Sequence, residues 1–390
     1  MSHYFARRTV VVLVCSLPLL LAFGCDPNKG EWTSSRASHV PLVPEAEPWT
    51  FGEVEGWDIE IPHYRIYTTV QDDLLLEKLP IFLETAYKQY LAFLPQAQPD
   101  EEPLEIYLFD RRSEWETYTR QNTGASAETY LKITAGGYSY NGIGVAYLLE
   151  RYHTFGILAH EGFHQFASSR LEHRIPAWME EGLACNFEAH FWRAGKPEFA
   201  PDLNEFRLKA LKKALSRDSL FPLSELLTMN AGQAVAMPAE KTATFYAQSW
   251  ALTRFLQEGR RGKYRQAFRQ MLRDAADGAP LQSKERAVEI FESYFQEDIE
   301  TIAADFVWYA RLLADRNVQP GTEVYLIRPG QAEKTAKLTA EQIEQTKPDT
   351  TVEPILPHIP EEPPEPPPKP PKEDILIIRI EEYKQPDKPD

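Results

Sequence analysis

The chain has 390 residues, of which 43% are hydrophobic and 12% aromatic, and it carries a formal charge of -16. That is enough apolar material for a sizeable core, in one large domain or two smaller ones. So acidic a balance argues against nucleic acid as a partner, because phosphate binding needs clustered Lys and Arg; it leaves the fold open.

Arg7-Arg8 forms a short basic region, and residues 10–23 form an apolar stretch of 14 residues interrupted by Ser16 and Pro18. A bilayer-spanning helix needs about 20 apolar residues, so residues 1–24 read as an export signal rather than a span. The run Leu21-Ala22-Phe23-Gly24-Cys25 resembles a bacterial lipoprotein signal, in which a small residue precedes the cysteine that receives lipid; Ala22 departs from the usual leucine. The expected product is an exported lipoprotein held by Cys25 to a membrane of a bacterial cell envelope, with plain secretion as the alternative. Cys15 would leave with the signal and Cys25 would be the anchor. Cys185 then has no disulfide partner, and in the apolar context Gly-Leu-Ala-Cys-Asn-Phe it reads as a small buried hydrophobe.

Residues 25–50 are polar, with scattered Pro and Ser, and read as a tether. Alternation at Trp57, Ile59 and Ile61, then at Tyr64, Ile66 and Thr68, predicts strands with a break at Pro62. Residues 74–94 predict a long helix, 104–109 a strand, 113–121 a helix, and 135–148 a turn entering a strand. Beyond residue 150, helical periodicity dominates: 152–171, 176–193, 204–216, 223–229, 239–258, 263–276, 283–295 and 298–314. Pro176 suits a helix start and Gly195 a stop. The expected fold is α+β, a small mixed N-terminal sheet with helices (51–150) followed by a mainly helical lobe (151–316). Residues 317–390 form a mostly disordered tail; its last 38 residues hold 12 prolines. Two apolar pieces interrupt it, at 324–327 and 375–380, which either pair with each other or add to a sheet edge. An envelope partner for the tail is a further expectation.

His160-Glu161-Gly162-Phe163-His164 fits the spacing H-E-x-x-H. On a helix, residues four apart lie about 40° apart around the axis, so both imidazoles can face one point. Glu161 is placed to reach a water on a metal rather than the metal itself. Ile157, His160, His164, Ala167 and Leu171 form one stripe, and Phe155, Leu158, Phe163 and Phe166 cover the other faces, as in a buried helix. Two histidines there need partners: a metal satisfies both at once, and carbonyls in a core are the alternative. A zinc hydrolase also needs a third protein ligand. Ala167 and Arg170 exclude the branch that takes it from a third histidine six residues on. The following segment, Pro176-Ala177-Trp178-Met179-Glu180-Glu181-Gly182-Leu183-Ala184, offers a glutamate instead.

Together HEGFHQF and PAWMEEGLA resemble the gluzincin metallopeptidases of the thermolysin-like superfamily, closest to a peptidase MA-like branch. The likeness extends over roughly residues 57–314 and includes the aromatic segment Tyr246-Ala247-Gln248-Ser249-Trp250. It implies a zincin-like domain with the active-site helix between its two lobes, one Zn2+ held by His160, His164 and Glu181, and Glu161 as general base. Glu180 matches nothing in the pattern and reads as a solvated neighbour. Relatives often hold a ligand histidine with an acid four residues after the glutamate ligand; that position is Cys185, so the partner must come from elsewhere. By motif position Tyr246 is the candidate oxyanion donor, with His190 and Tyr138 behind it and a structural role as the alternative for each. The resemblance also implies a peptide or protein substrate, bound along the strand near 144–148. The residues alone support metal-assisted hydrolysis, and an idle metal-binding or purely structural lipoprotein is the competing reading.

The lipoprotein reading predicts that the exported chain begins at Cys25 and carries acyl chains. Mass spectrometry of the mature N-terminus checks this; an unmodified start beyond residue 25 refutes it.

Overall fold

The structure is a computed structural model that describes residues 46–94, 102–133 and 136–314, with three short strands further on. The proposed signal and Cys25 lie outside the described residues. The sheet begins with β1 (Ala46–Phe51), which pairs antiparallel with β2 (Val54–Ile61), so the expected tether ends at least five residues early. β2 pairs antiparallel with β3 (Tyr64–Thr68), the break falling where Pro62 ends the strand. Helix α1 (Asp73–Phe93) is capped by the Asp72 carboxylate, which accepts from Leu75 N. It crosses to β4 (Leu104–Phe109), parallel to β3. Helices α2 (Arg112–Asn122) and α3 (Ala127–Tyr130) lead to the hairpin of β5 (Gly137–Tyr140) and β6 (Ile143–Tyr147). β6 inserts parallel to β4, which puts β5 further out.

The fold is α+β, with the mixed sheet N-terminal and helices after it. Two differences bear on access. The strand near 144–148, expected to take a peptide along its edge, is interior between β4 and β5. The outer strand is β5, and the tail strand Leu376–Ile377 pairs antiparallel with it, Leu376 opposite Ser139. The other apolar tail piece finds its partner locally: Glu323–Leu326 pairs with Lys334–Lys337.

Period-two side chains divide the sheet between two cores. Leu104, Ile106 and Leu108 of β4 face the main core with α1. Phe109 belongs to a smaller aromatic core under α2 and α3, with Trp115, Tyr130, Tyr138 and Tyr147. Helix α4 (Arg151–Arg170) runs under β5 and β6 and against α1. Its start is tied to the start of α1 by Arg151 donating to Asp72 (2.7 and 3.0 Å). The Tyr90 hydroxyl donates to Ala159 O (2.5 Å), and the Gln165 amide donates to Glu105 O (2.7 Å) and Gly142 O (2.9 Å). Its axial position is therefore set from both the helix side and the sheet side.

The helix expected over 176–193 is much shorter. α5 (Ala177–Ala184) tightens into a 3-10 turn at Cys185–Phe187 and gives way to the hairpin β7 (His190–Arg193) and β8 (Lys196–Phe199). Pro176 caps α5, and Ala194-Gly195, both at positive φ (49° and 76°), form the tight hairpin turn rather than a helix stop. Helical periodicity failed here because Phe191 and Trp192 also fit a short strand. The remaining helices follow their expected places: α6 (Glu205–Ser216), α7 (Leu223–Thr228), α9 (Ala239–Gly262), α10 (Arg265–Ala276), α11 (Ala287–Phe295) and α12 (Ile299–Ala314). α8 (Ala231–Ala236), with its Asn230–Gln233 capping box, was not anticipated. Among the described residues, no helix is long and apolar enough to cross a membrane.

α5 lies closely along α9, and Gly182 makes the approach possible. A Cβ there would stand 2.4 Å from Ser249 O and 2.6 Å from Thr253 Cγ2. Gly182→Ala should force the helices apart and cost about 1–3 kcal/mol, as overpacked cores do. Urea unfolding measures this; an unchanged midpoint would show that the contact yields freely.

Candidate metal centre

His160 and His164 lie on the inner stripe of α4, four residues and one turn apart, with ring centroids 4.9 Å from one another. α5 packs across α4 and presents Glu181 to both. Glu181 Oε2 lies 3.3 Å from His160 Nε2 and 3.5 Å from His164 Nε2, and all three residues are buried. The donor atoms of this trio all lie within 4.8 Å of one another.

Each imidazole is also held by its other nitrogen. His160 Nδ1 lies 2.8 Å from Glu188 Oε1, and His164 Nδ1 lies 3.2 Å from Glu180 Oε1. The expectation that Glu180 is solvated is therefore corrected: it is 5% exposed and orients His164. The partner that Cys185 could not supply is Glu188, seven residues after Glu181. The 3-10 turn carries it back beside α4, where Gly156 lets the chain in; a Cβ on Gly156 would stand 2.5 Å from Glu188 O. In the sequence, the helical reading of 176–193 gave no signal for this return of Glu188, which lies beyond α5 and its 3-10 turn. For Glu180, adjacent to Glu181, there was none, because neighbouring helical residues point about 100° apart.

Glu188 is saturated. Arg207 Nε and Nη2 donate to it at 2.8 and 2.5 Å, and Asn204 Nδ2 donates at 2.7 Å. Burial alone would raise the Glu188 pKa, but Arg207 and His160 outweigh it and hold the carboxyl well below the usual range. With Glu188 an acceptor only, His160 donates from Nδ1 and turns the Nε2 lone pair toward Glu181.

Glu181 resolves the same contest the same way. Burial raises its pKa, the His164 and His160 imidazoles overcome that, and it is held at about 2. Burial lowers His164, but Glu181 and Glu180 raise it to about 10. Negative charge thus surrounds the imidazoles and favours added positive charge between them. Glu161, one residue after His160, is the contrast. Burial raises it to about 7 against the opposing pull of His164 and His160, and among the described residues neither of its buried oxygens has a hydrogen-bond partner.

These donors fit a divalent ion on two grounds. Ligand atoms at about 2.0–2.2 Å from a tetrahedral zinc stand about 3.3–3.6 Å apart, the spacing that Glu181 keeps from each Nε2. Buried Glu181 Oε1 and His164 Nε2 also lack a hydrogen-bond partner among the described residues, as donors reserved for a cation would. A second grouping, His160 with Cys185 and Glu188, fits poorly. Its carboxylate is already saturated, and burial holds the Cys185 thiol far above its ordinary pKa, in keeping with a small hydrophobe.

Tyr246 on α9 is buried beside the centre, with the Arg207 guanidinium 4.9 Å from its ring; burial and then Glu181 keep its phenol protonated. The two lesser candidates lie in other surroundings. Tyr138 shares a hydrogen bond with Thr119 (3.0 Å) and stacks on Tyr130 in the small aromatic core. His190 stacks on Tyr152 with centroids 4.6 Å apart, among Phe82 and Phe155.

Fold and centre together define an α+β chain with a buried two-histidine, carboxylate-lined site whose residues could hold a metal ion. Residues 155–282 match a family model described as a protein of unknown function, DUF1570. That stretch holds all of the centre's residues, from His160 to Tyr246, and leaves out the sheet. No curated protein matches the chain.

His190, outside the proposed ligand set, gives a pH prediction. Burial lowers its pKa to about 3, against a smaller opposing effect of the Glu188 backbone and with His153 adding to the decrease. Above pH ~6.5 the ring is neutral folded or unfolded and contributes nothing. Below it only the unfolded chain takes the proton, so stability should fall by up to ~1.4 kcal/mol per pH unit until the folded pKa is reached. Denaturant titrations of wild type and His190→Phe between pH 7 and 4 should diverge on the acid side. Parallel curves would refute the assignment.

Proposed function

We propose that the chain is a zinc-dependent hydrolase, most consistent with a cell-envelope metallopeptidase, in which His160, His164 and Glu181 hold one Zn2+ and Glu161 is the general base. The observation that carries this reading is the approach of one Glu181 carboxylate oxygen to two Nε2 atoms, at 3.3 and 3.5 Å, with both Nδ1 atoms held by other carboxylates. Bound there, zinc would supply a Lewis acid and a water acidified toward neutral pH.

The protein's own groups divide the remaining work. Glu161 takes a proton from the attacking water and returns it to the leaving group. Glu180 and Glu188 keep the two rings in the orientation that directs Nε2 inward. Tyr246, kept protonated, donates its O–H to the developing oxyanion. The choice of a peptide bond over another hydrolysable bond is supported by the gluzincin resemblance of HEGFHQF and PAWMEEGLA. The strongly negative net charge of -16 agrees with a substrate other than nucleic acid.

The variants should differ in kind. His160→Ala should lose zinc by elemental analysis, and a chelator should lower the melting temperature of wild type but not of that variant. Glu161→Gln should retain zinc and lose about 10²–10⁴-fold in hydrolysis of a mixed peptide library. Zinc-free wild type, or full activity in Glu161→Gln, would overturn the reading. Zinc without hydrolysis of any peptide would instead favour an idle metal-binding lipoprotein.

A further inference from the structure

We propose that Arg207, on α6 and outside the ligand set, is the positioning residue of the centre: it fixes the Glu188 carboxylate that aims His160 and at the same time braces the ring of Tyr246. The inference rests on the metal reading of the site. Arg207 is 1% exposed. Burying a guanidinium and a carboxylate together seldom adds net stability, since an apolar pair of the same volume usually does as well. Its geometry is more specific than a tie between α6 and the turn at 185–187 requires.

Nε and Nη2 grip the two Glu188 oxygens as a fork, at 2.8 Å to Oε2 and 2.5 Å to Oε1. A fork fixes the plane of a carboxylate as well as its distance, which one ammonium would not do. Asn204 completes the clamp. Its amide donates to Glu188 Oε2 (2.7 Å) and Cys185 O (3.1 Å), and its Oδ1 accepts from Arg207 N (3.2 Å). Held in this plane, Glu188 Oε1 meets His160 Nδ1 at 2.8 Å. The same guanidinium lies over the Tyr246 ring, 4.9 Å from its centroid. One planar cation therefore sets both a ligand histidine and the proposed oxyanion donor, although it touches neither metal nor substrate in this scheme.

The test uses the full-length protein with Arg207→Lys, Arg207→Met, Glu188→Gln and the Arg207→Met/Glu188→Gln double variant. Zinc affinity is read by competition with a chromophoric chelator, and fold by melting temperature. Arg207→Lys should fold and bind zinc about 10–100-fold more weakly. The double variant, which removes both charges, should bind zinc no more weakly than Glu188→Gln alone, because Arg207 acts through Glu188. Folded Arg207→Lys with wild-type affinity, or losses that multiply in the double variant, would overturn the proposal. If Arg207→Met fails to fold, the other variants carry the test. If wild type binds no zinc, the hydrolase reading falls by itself, and positioning is then read from the His160 Nδ1 proton by nitrogen-15 NMR. That proton should exchange slowly in wild type and quickly in Arg207→Lys; equal exchange would overturn the inference.

Discussion

Four carboxylates, Glu161, Glu180, Glu181 and Glu188, are brought against two imidazoles, and Arg207 joins them as a permanent cation. Burial penalises each charge by several kcal/mol unless partners compensate. Hydrogen bonds to Nδ1 and the Arg207 fork account for Glu188, and Nδ1 of His164 accounts in part for Glu180. Glu181 is left between the Nε2 atoms, and Glu161, under the influence of both rings, is left with no hydrogen-bond partner for either oxygen among the described residues. Either two added protons or one dication balances them. On the proposed reading the balance is the dication: Glu181 stands 3.3 and 3.5 Å from the Nε2 atoms, beyond the ~2.7–2.9 Å of a charge-assisted hydrogen bond.

The rest of the architecture serves to hold α4 and α5 at that separation. α4 carries both imidazoles and is pinned at its start by Arg151, at its middle by Tyr90 and near its end by Gln165. α5 is pressed onto α9 through the missing side chain of Gly182, which fixes Glu181 one residue away. Gly156 performs the same service for Glu188. These contacts come from elements distant in sequence, so the centre is a product of tertiary packing, and neither helix alone specifies it.

Much of this was legible before the structure. β4 and the long helices were readable because period two and period 3.6 were strong there, and Pro62 marked its own break. The H-E-x-x-H pair with a glutamate on the next helix was readable because spacing on a helix determines direction. What stayed hidden depended on the fold. The hairpin after α5 hid behind a helical reading of 176–193, and with it the return of Glu188 toward α4. Arg207 hid because a single arginine on an amphipathic helix, between Phe206 and Leu208, ordinarily reads as a solvated face. Only the crossing of α6 against α9 turns it inward.

The two histidines also show why a motif and its supports carry different information. The proposed ligand positions follow from local geometry at fixed spacing, so they can be read from HEGFHQF and PAWMEEGLA. The carboxylates behind them answer to a looser demand: any acceptor that reaches Nδ1 will do, from any element. Here one lies beside Glu181 and the other seven residues beyond it, braced from a third helix. The matched stretch, 155–282, spans all of them and stops short of the sheet. The helical part thus contains both the donors and what orients them. The sheet contributes rigidity through Gln165 and an outer strand, β5, that is itself joined by a strand from the tail.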